Sequence, residues 1–400
     1  MSSINPLSLY IHLPWCVRKC PYCDFNSHVS KKSLPEQEYI ECLIADLQND
    51  LNRYAIDRPL QTIFIGGGTP SLFSPASIAQ ILTAVDQHWG IPAGTEITME
   101  ANPGTVEQAK FAGFLAAGIN RLSIGVQSFQ DEKLKILGRI HDADAAKNAF
   151  QAARDAGFTN INIDLMFGLP KQSISEGLVD LQTAIALQPE HLSWYQLTLE
   201  PNTVFYKKPP TLPDIDLIDE LQIQGQELLQ QHGYQQYEIS AYAQADRQCR
   251  HNLNYWQFGD YLGIGAGAHG KITLPVIASA AKQSSTIVRT RKIQQPESYL
   301  KALPSPRPLP QAVEGNNLFT AEEKNIEEQN LCFEYLLNAL RLNQAINLTP
   351  MQQRTGLSSE TILVLLQEAI KREFIIIINN QIIKTDLGHR FLNNLLELFL

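Results

Sequence analysis

The chain has 400 residues, 44 % of them hydrophobic and 18 % charged, with a formal net charge of −9. It is long enough to bury one large core and a smaller one, and its acidity speaks against nucleic acid as the partner of the whole chain. No basic segment leading into an apolar run opens the sequence, and no apolar stretch reaches membrane-spanning length. A cytoplasmic protein with no integral membrane segment is therefore expected.

From residue 7 to about residue 200, short apolar runs alternate with amphipathic stretches, as in repeated parallel βα units. Strands are predicted at residues 7–13, 62–66, 96–101, 121–127, 160–166 and 191–199. Helices are predicted at 36–54, 75–89, 106–117, 143–156 and 173–187. The expected fold class is α/β, a partial (β/α)6 barrel. Alternation along the strands sets Leu122, Ile124 and Val126 against Ser123, Gly125 and Gln127, Ile161, Ile163 and Leu165 against Asn162 and Asp164, and Leu9 and Ile11 against Tyr10 and His12. Side chains two apart share a face, so one face of the sheet is polar. Closed barrels fill their interior with branched apolar residues; a polar interior implies an open lumen with a polar ligand. The sixth strand shows no such parity.

After residue 200 the pattern changes. A Pro-rich entry leads to a helix starting near Asp214, expected to pack across the open side of the barrel, and residues 237–241 are a candidate seventh strand. His-Asn-x-x-Tyr-Trp follows at 251–256, then a glycine-dense loop at 259–270 and a low-information stretch at 272–288, read as a surface insertion. Residues 304–320 form a Pro-rich linker. Beyond it, helices at 328–342, from Thr349-Pro350 and from Ser358 or Ser359, a hairpin turning at Asn379-Asn380 and a helix from Asp386 make a winged-helix-like module. Residues 350–400 carry as many acidic as basic side chains, so no nucleic-acid footprint is visible. The expected division is 1–240 for the barrel, 241–303 for an extension and 321–400 for the C-terminal module.

Three cysteines carry the chemistry. Cys16, Cys20 and Cys23 form C-x3-C-x2-C in one short loop after the first strand. A 4Fe-4S cluster normally takes four cysteines, so three leave one iron open to a small molecule. Zinc is the competing reading, with His12 or His28 as fourth ligand. Cys42, Cys249 and Cys332 are scattered and read as buried thiols. Gly66-Gly67-Gly68-Thr69-Pro70 follows the second strand, where consecutive glycines let backbone N–H and C=O groups face a ligand. Glu100, Gln127 and Asp164 fall at strand C-termini, the end where barrel enzymes build their sites.

These motifs, in this order, resemble the radical S-adenosylmethionine superfamily, in its branch of oxygen-independent coproporphyrinogen III oxidase relatives, over nearly the whole chain. The resemblance implies that the open iron binds S-adenosylmethionine, with Tyr10, Tyr22, Gly67, Gly68, Thr69, Glu100, Gln127, Arg139 and Asp164 in contact with it. Phe25 stands where the dehydrogenases of the branch carry a further cysteine, and the motif at 251–256 is similar to that of the branch's heme chaperones. A chaperone of that kind would bind heme through His251, Asn252, Tyr255 and Trp256 and deliver it to client hemoproteins. It would need an electron donor if S-adenosylmethionine is cleaved, and any membrane contact would be peripheral. The alternative is oxidative decarboxylation of coproporphyrinogen III.

Overall fold

Strand parity is the feature that shapes the molecule. The computed structural model describes residues 6–30, 33–276, 284–303 and 318–400. Its parallel strands β1 (Leu7–Leu13), β2 (Leu60–Gly67), β3 (Glu96–Ala101), β4 (Arg121–Gln127), β5 (Ile161–Phe167) and β6 (His191–Gln196) lie where the alternation places them. They are followed by β7 (Gln235–Glu238), β8 (Ala241–Ala243), β9 (Asp260–Ile264), β10 (His269–Val276), β11 (Ser284–Lys292) and β12 (Thr320–Asn325). Among the described residues these form one open sheet in the order β12-β11-β10-β9-β1-β2-β3-β4-β5-β6-β8-β7. Leu9, Ile11, Ile63, Ile65, Met99, Leu122, Ile124 and Ile163 point outward into the main core beneath the helices. Each such side chain contributes roughly 1.5–3 kcal/mol by leaving water.

The glycine-dense stretch at 259–270 contains β9, which pairs in parallel with β1 from Leu7↔Asp260 to Ile11↔Ile264. Gly263 misled the reading: a Cβ there would stand 1.9 Å from the carbonyl oxygen of His269, so the glycine marks close backbone approach rather than a loop. The sixth strand does alternate, with His191, Ser193 and Tyr195 turned to the lumen and Leu192 and Trp194 to the core; Tyr and Trp, each part polar, had hidden the pattern. The helix Ile215–Gln231 packs on the outside, against the helix Ile174–Ala186, with Gly225 letting it close onto the Trp194 ring. The helix predicted at 106–117 is broken into Thr105–Gln108 and Phe111–Ala116. At the break, Lys110 turns its ammonium onto the carbonyls of Ser71, Leu72 and Phe73.

Residues 272–276 and 284–288, read as part of a surface insertion, belong to the long antiparallel pair β10 and β11; 277–283 lie outside the described residues. Most of the expected linker, 304–317, also lies outside them. The C-terminal segment has its own core around Leu336, Met351, Ile362 and Leu366. Its strands Ile346–Asn347, Gln381–Lys384 and Ile375–Ile378 lie side by side in that order. The hairpin turns through Asn379 and Asn380, both at positive φ, as a two-residue type I′ turn requires. Ser358 caps the helix Ser359–Lys371 by accepting from the Thr361 amide.

Candidate functional site: two adjoining hollows in the lumen

The loop after β1 carries the three cysteines. Asn26 fixes its far end by donating to the carbonyls of Ala266 (2.8 Å) and Gln294 (2.9 Å), and Lys19 donates to those of Phe25 and Ser27. Cys16, Cys20 and Cys23 border one hollow of about 430 Å3. Among the described residues, no three His, Cys, Asp or Glu side chains converge as a single metal ion needs. Both histidines of the zinc reading are also engaged. His12 Nε2 donates to the Asn26 carbonyl (2.8 Å), leaving Nδ1 to accept from Tyr10 (2.9 Å), and His28 Nε2 lies 3.0 Å from Asn26 Oδ1.

The glycine turn has a different task from the one its sequence suggested. Its N–H groups are already committed: Gly67 to Glu100 Oε2 (3.1 Å), Gly68 to the Leu13 carbonyl (2.9 Å) and Thr69 to the Trp15 carbonyl (2.8 Å). A Cβ on Gly68 would stand 2.5 Å from the Trp15 carbonyl oxygen and 2.9 Å from Cys16 Sγ, and Gly67 has φ +127°. The glycines therefore let β2 lie directly under the cysteine loop.

Across the hollow, Glu100 and Asp164 face each other on neutral donors alone. Asp164 accepts from Ser123 (3.1 Å) and Asn162 (2.7 Å). Burial, with the charge of Asp164, pushes the Glu100 carboxyl up to about 8, and burial raises Asp164 as well. Arg139 reaches in from beyond β4, donating to Asn102 Oδ1 and the Gly125 carbonyl (both 2.6 Å) and lying 3.6 Å from Cys20 Sγ, while its Nε has no partner among the described residues. Gln127 sits at φ +70° beside a register shift in β4, its Oε1 accepting from Tyr195 (2.6 Å). Such backbone strain and bulges gather at functional sites. Of the nine residues expected around S-adenosylmethionine, Tyr22, Gly67, Gly68, Thr69, Glu100, Gln127, Arg139 and Asp164 border this hollow. Tyr10 does not; it lines the second one. Sequence reading missed Asn102, which bridges Arg139 and Thr69, and Tyr195, hidden in the strand whose parity was obscured.

The second hollow, of about 540 Å3, shares Asp24, Phe25, Gly67 and Glu100 with the first. Its far wall is the lumen face continued sideways through Tyr261 of β9, His269 of β10 and Arg291 of β11, and Tyr255, Trp256 and Asn338 complete it. The His-Asn-x-x-Tyr-Trp segment is the helix Arg250–Trp256, which plugs the lower end of the lumen with the amides of Arg250 and His251 on the Glu96 carboxylate. His251 does not reach either hollow. It is 1 % exposed. Thr62 gives its proton to Ser8, so His251 Nδ1 donates to Thr62 (2.8 Å) and Nε2 accepts from Tyr255 (2.9 Å). Burial lowers this imidazole to about 3, keeping it neutral. His251, expected from sequence as an axial ligand, thus lies buried with both ring nitrogens bonded inside the protein, whereas Tyr255 and Trp256 line the second hollow. Asn252, half-buried, borders neither hollow.

An open α/β barrel with a three-cysteine loop over the C-terminal ends of its strands defines a radical S-adenosylmethionine protein. The profile of the Radical SAM superfamily matches residues 10–182. The chain is 49 % identical over 403 residues to the "Heme chaperone HemW" of Haemophilus influenzae, covering 100 % of this chain and 99 % of that one. It is 47 % identical to the protein of that name from Escherichia coli, over the whole of both. Among solved structures, Escherichia coli coproporphyrinogen III oxidase (HemN) is similar, with a TM-score of 0.77 at 23 % identity over 99 % of this chain and 90 % of that one, a likeness of fold. The chain belongs to the HemW family. Membership in the superfamily implies a 4Fe-4S cluster and S-adenosylmethionine. Among the described residues, no helix is long and apolar enough to cross a membrane.

Proposed function

We propose that this protein is a heme chaperone that holds heme in the second hollow, beside a 4Fe-4S cluster and S-adenosylmethionine in the first, and passes it to client hemoproteins. The observation that carries the reading is the pair of hollows with a shared wall. One is bordered by three thiols and, among its charged groups, by Glu100, Asp164 and Arg139; the other is walled by aromatic rings and lies within the size range of ligand sites. The names of the family's relatives support the cargo.

In this reading Cys16, Cys20 and Cys23 hold three irons. Glu100 and Asp164 take the ammonium and ribose hydroxyls of S-adenosylmethionine, Arg139 pairs with its carboxylate, and Thr69, Gln127, Tyr22 and the carbonyls of Gly67 and Gly68 complete the contact. Together the two cofactors supply one-electron chemistry, for which an electron donor would be needed. Phe25, 59 % exposed, stands between the hollows. It occupies the place of the further cysteine of the dehydrogenases and is an apolar wall for a porphyrin.

The test is a heme titration of the anaerobically reconstituted protein, with coproporphyrinogen III consumption assayed on the same sample. Saturable binding near one equivalent without turnover is expected. Porphyrinogen consumption coupled to 5'-deoxyadenosine release, with weak heme binding, would make the protein a dehydrogenase instead. Cys20→Ala should lose the cluster and keep the fold; circular dichroism showing an unfolded variant would make the cluster structural.

A further inference from the structure

Heme presents an iron that seeks a nitrogen, sulfur or phenolate ligand, two carboxylates and a flat apolar body. Two histidines, His12 and His269, line the second hollow, and His251 lies buried behind Tyr255. His12 and His251 each have both ring nitrogens committed within the protein. His269 is exposed, lines the hollow, and neither ring nitrogen has a hydrogen bond among the described residues. The tyrosines are poorer ligands: Tyr10 donates to His12, Tyr255 to His251, and Tyr261 accepts from Arg289. Burial raises all three phenols, which disfavours phenolate.

Resting on the heme-chaperone reading, we infer that His269 is the iron ligand and that Arg291 receives a carboxylate. Two observations independent of His269 support this. The Trp256 ring lines the same hollow as an apolar wall for a porphyrin, with the Arg341 guanidinium 4.4 Å from the ring centroid. Arg291 is the cross-strand neighbour of His269 and lines the hollow while paired on one side with Glu322 (2.9 Å); its fork has a further edge to offer a carboxylate. Burial, followed by Arg291 and Arg289, lowers the His269 imidazole, so its lone pair is available at neutral pH. The motif helix then shapes the pocket, with His251 a positioning residue that orients the Tyr255 ring.

The experiment compares heme complexes of the full-length wild type, His269→Ala, Trp256→Phe and His251→Phe by Soret spectrum, electron paramagnetic resonance and titration, with melting temperature recorded for each. The expected result is a histidine-ligated signature in wild type that is lost in His269→Ala, with at least tenfold weaker binding, an unchanged melting temperature and rescue by added imidazole. Trp256→Phe should weaken binding severalfold while leaving the iron signature intact. His251→Phe should lower the melting temperature but keep the histidine signature. If wild type binds saturably and His269→Ala has the same spectrum, the inference falls and the chaperone reading stands. If wild type does not bind saturably, both fall.

Discussion

Behind the barrel wall, Lys292 is 0 % exposed and touches Asp46 (2.6 Å) and Asp50 (2.7 Å), while Tyr299 and the Gly265 amide satisfy the remaining oxygen of Asp46. In the lumen, Glu100 and Asp164 face each other with hydrogen bonds from amides and hydroxyls alone, and the Arg121 charge acting on Asp164 ranks behind burial and those bonds. The first set is complete and ties the helix Glu36–Arg53 to β11. For Lys292, burial pulls the ammonium down, but the two carboxylates outweigh it and leave it raised. The second set has, among the described residues, no cation in contact with either carboxylate, and burial leaves both carboxyls raised. Buried charge whose partners are internal ties elements together, whereas buried carboxylates without an ion pair mark a candidate site.

The comparison can be broken most forcefully at Lys292. Lys292→Met should cost about 3–5 kcal/mol, because it strands two buried carboxylates. Burial already raises the Asp50 carboxyl and Lys292 holds it down. Without the ammonium it would rise further above its unfolded value, so the variant's stability should fall as pH rises, measurable by urea denaturation at pH 5 and pH 8; a uniform loss at both would contradict the pairing. Lys271→Met is milder. Asp260 there keeps Arg58 (2.8 Å) and the Thr273 amide (2.9 Å), and burial, which pushes its carboxyl up, is already outweighed by Lys271 and Arg58. A loss of about 1–3 kcal/mol is expected, and one as large as at Lys292 would mean that Arg58 does not compensate.

In the lumen the sign should reverse. Glu100→Gln should melt no lower than wild type while weakening S-adenosylmethionine by about 2 kcal/mol, roughly thirtyfold, read by calorimetry. A carboxyl held above its unfolded value favours folding fully only below the unfolded pKa, and that contribution is lost as pH rises through about 8. The glutamine variant should therefore gain on wild type between pH 6 and pH 9. The smallest effect sharpens the same point. If an ammonium meets ionised Glu100, S-adenosylmethionine binding near pH 7 should release a fraction of a proton, seen as a dependence of binding enthalpy on buffer ionisation heat; no such dependence would remove Glu100 as its partner.

How much of this was legible in the sequence follows the range of the interactions. The lumen-facing sides of strands such as β1, β4 and β5, and the carboxylates at strand ends, could be read because alternation is local. The cysteine loop could be read because its spacing is itself the signal. β9 could not, since a glycine required by the neighbouring strand looks like a glycine required by a turn. Nor could the state of His251, whose partner hydroxyl on Thr62, itself turned by Ser8, lies far off along the chain. The motif drew attention to the right region, but which histidine is free is a property of the packed lumen. His269, in a run of glycine and alanine, gave no signal at all.

The threading of β9 beside β1 has a consequence for synthesis. β1 leaves the ribosome first, yet its second neighbour begins at Asp260, and Asn26, which closes the cysteine loop, waits for Ala266 and Gln294. Until then the first strand has a bare edge and the loop lacks its final anchor. A loop that takes up iron only in its anchored form would be loaded after Gln294 has emerged, and a nascent chain stalled before Asp260 should then be recovered without iron.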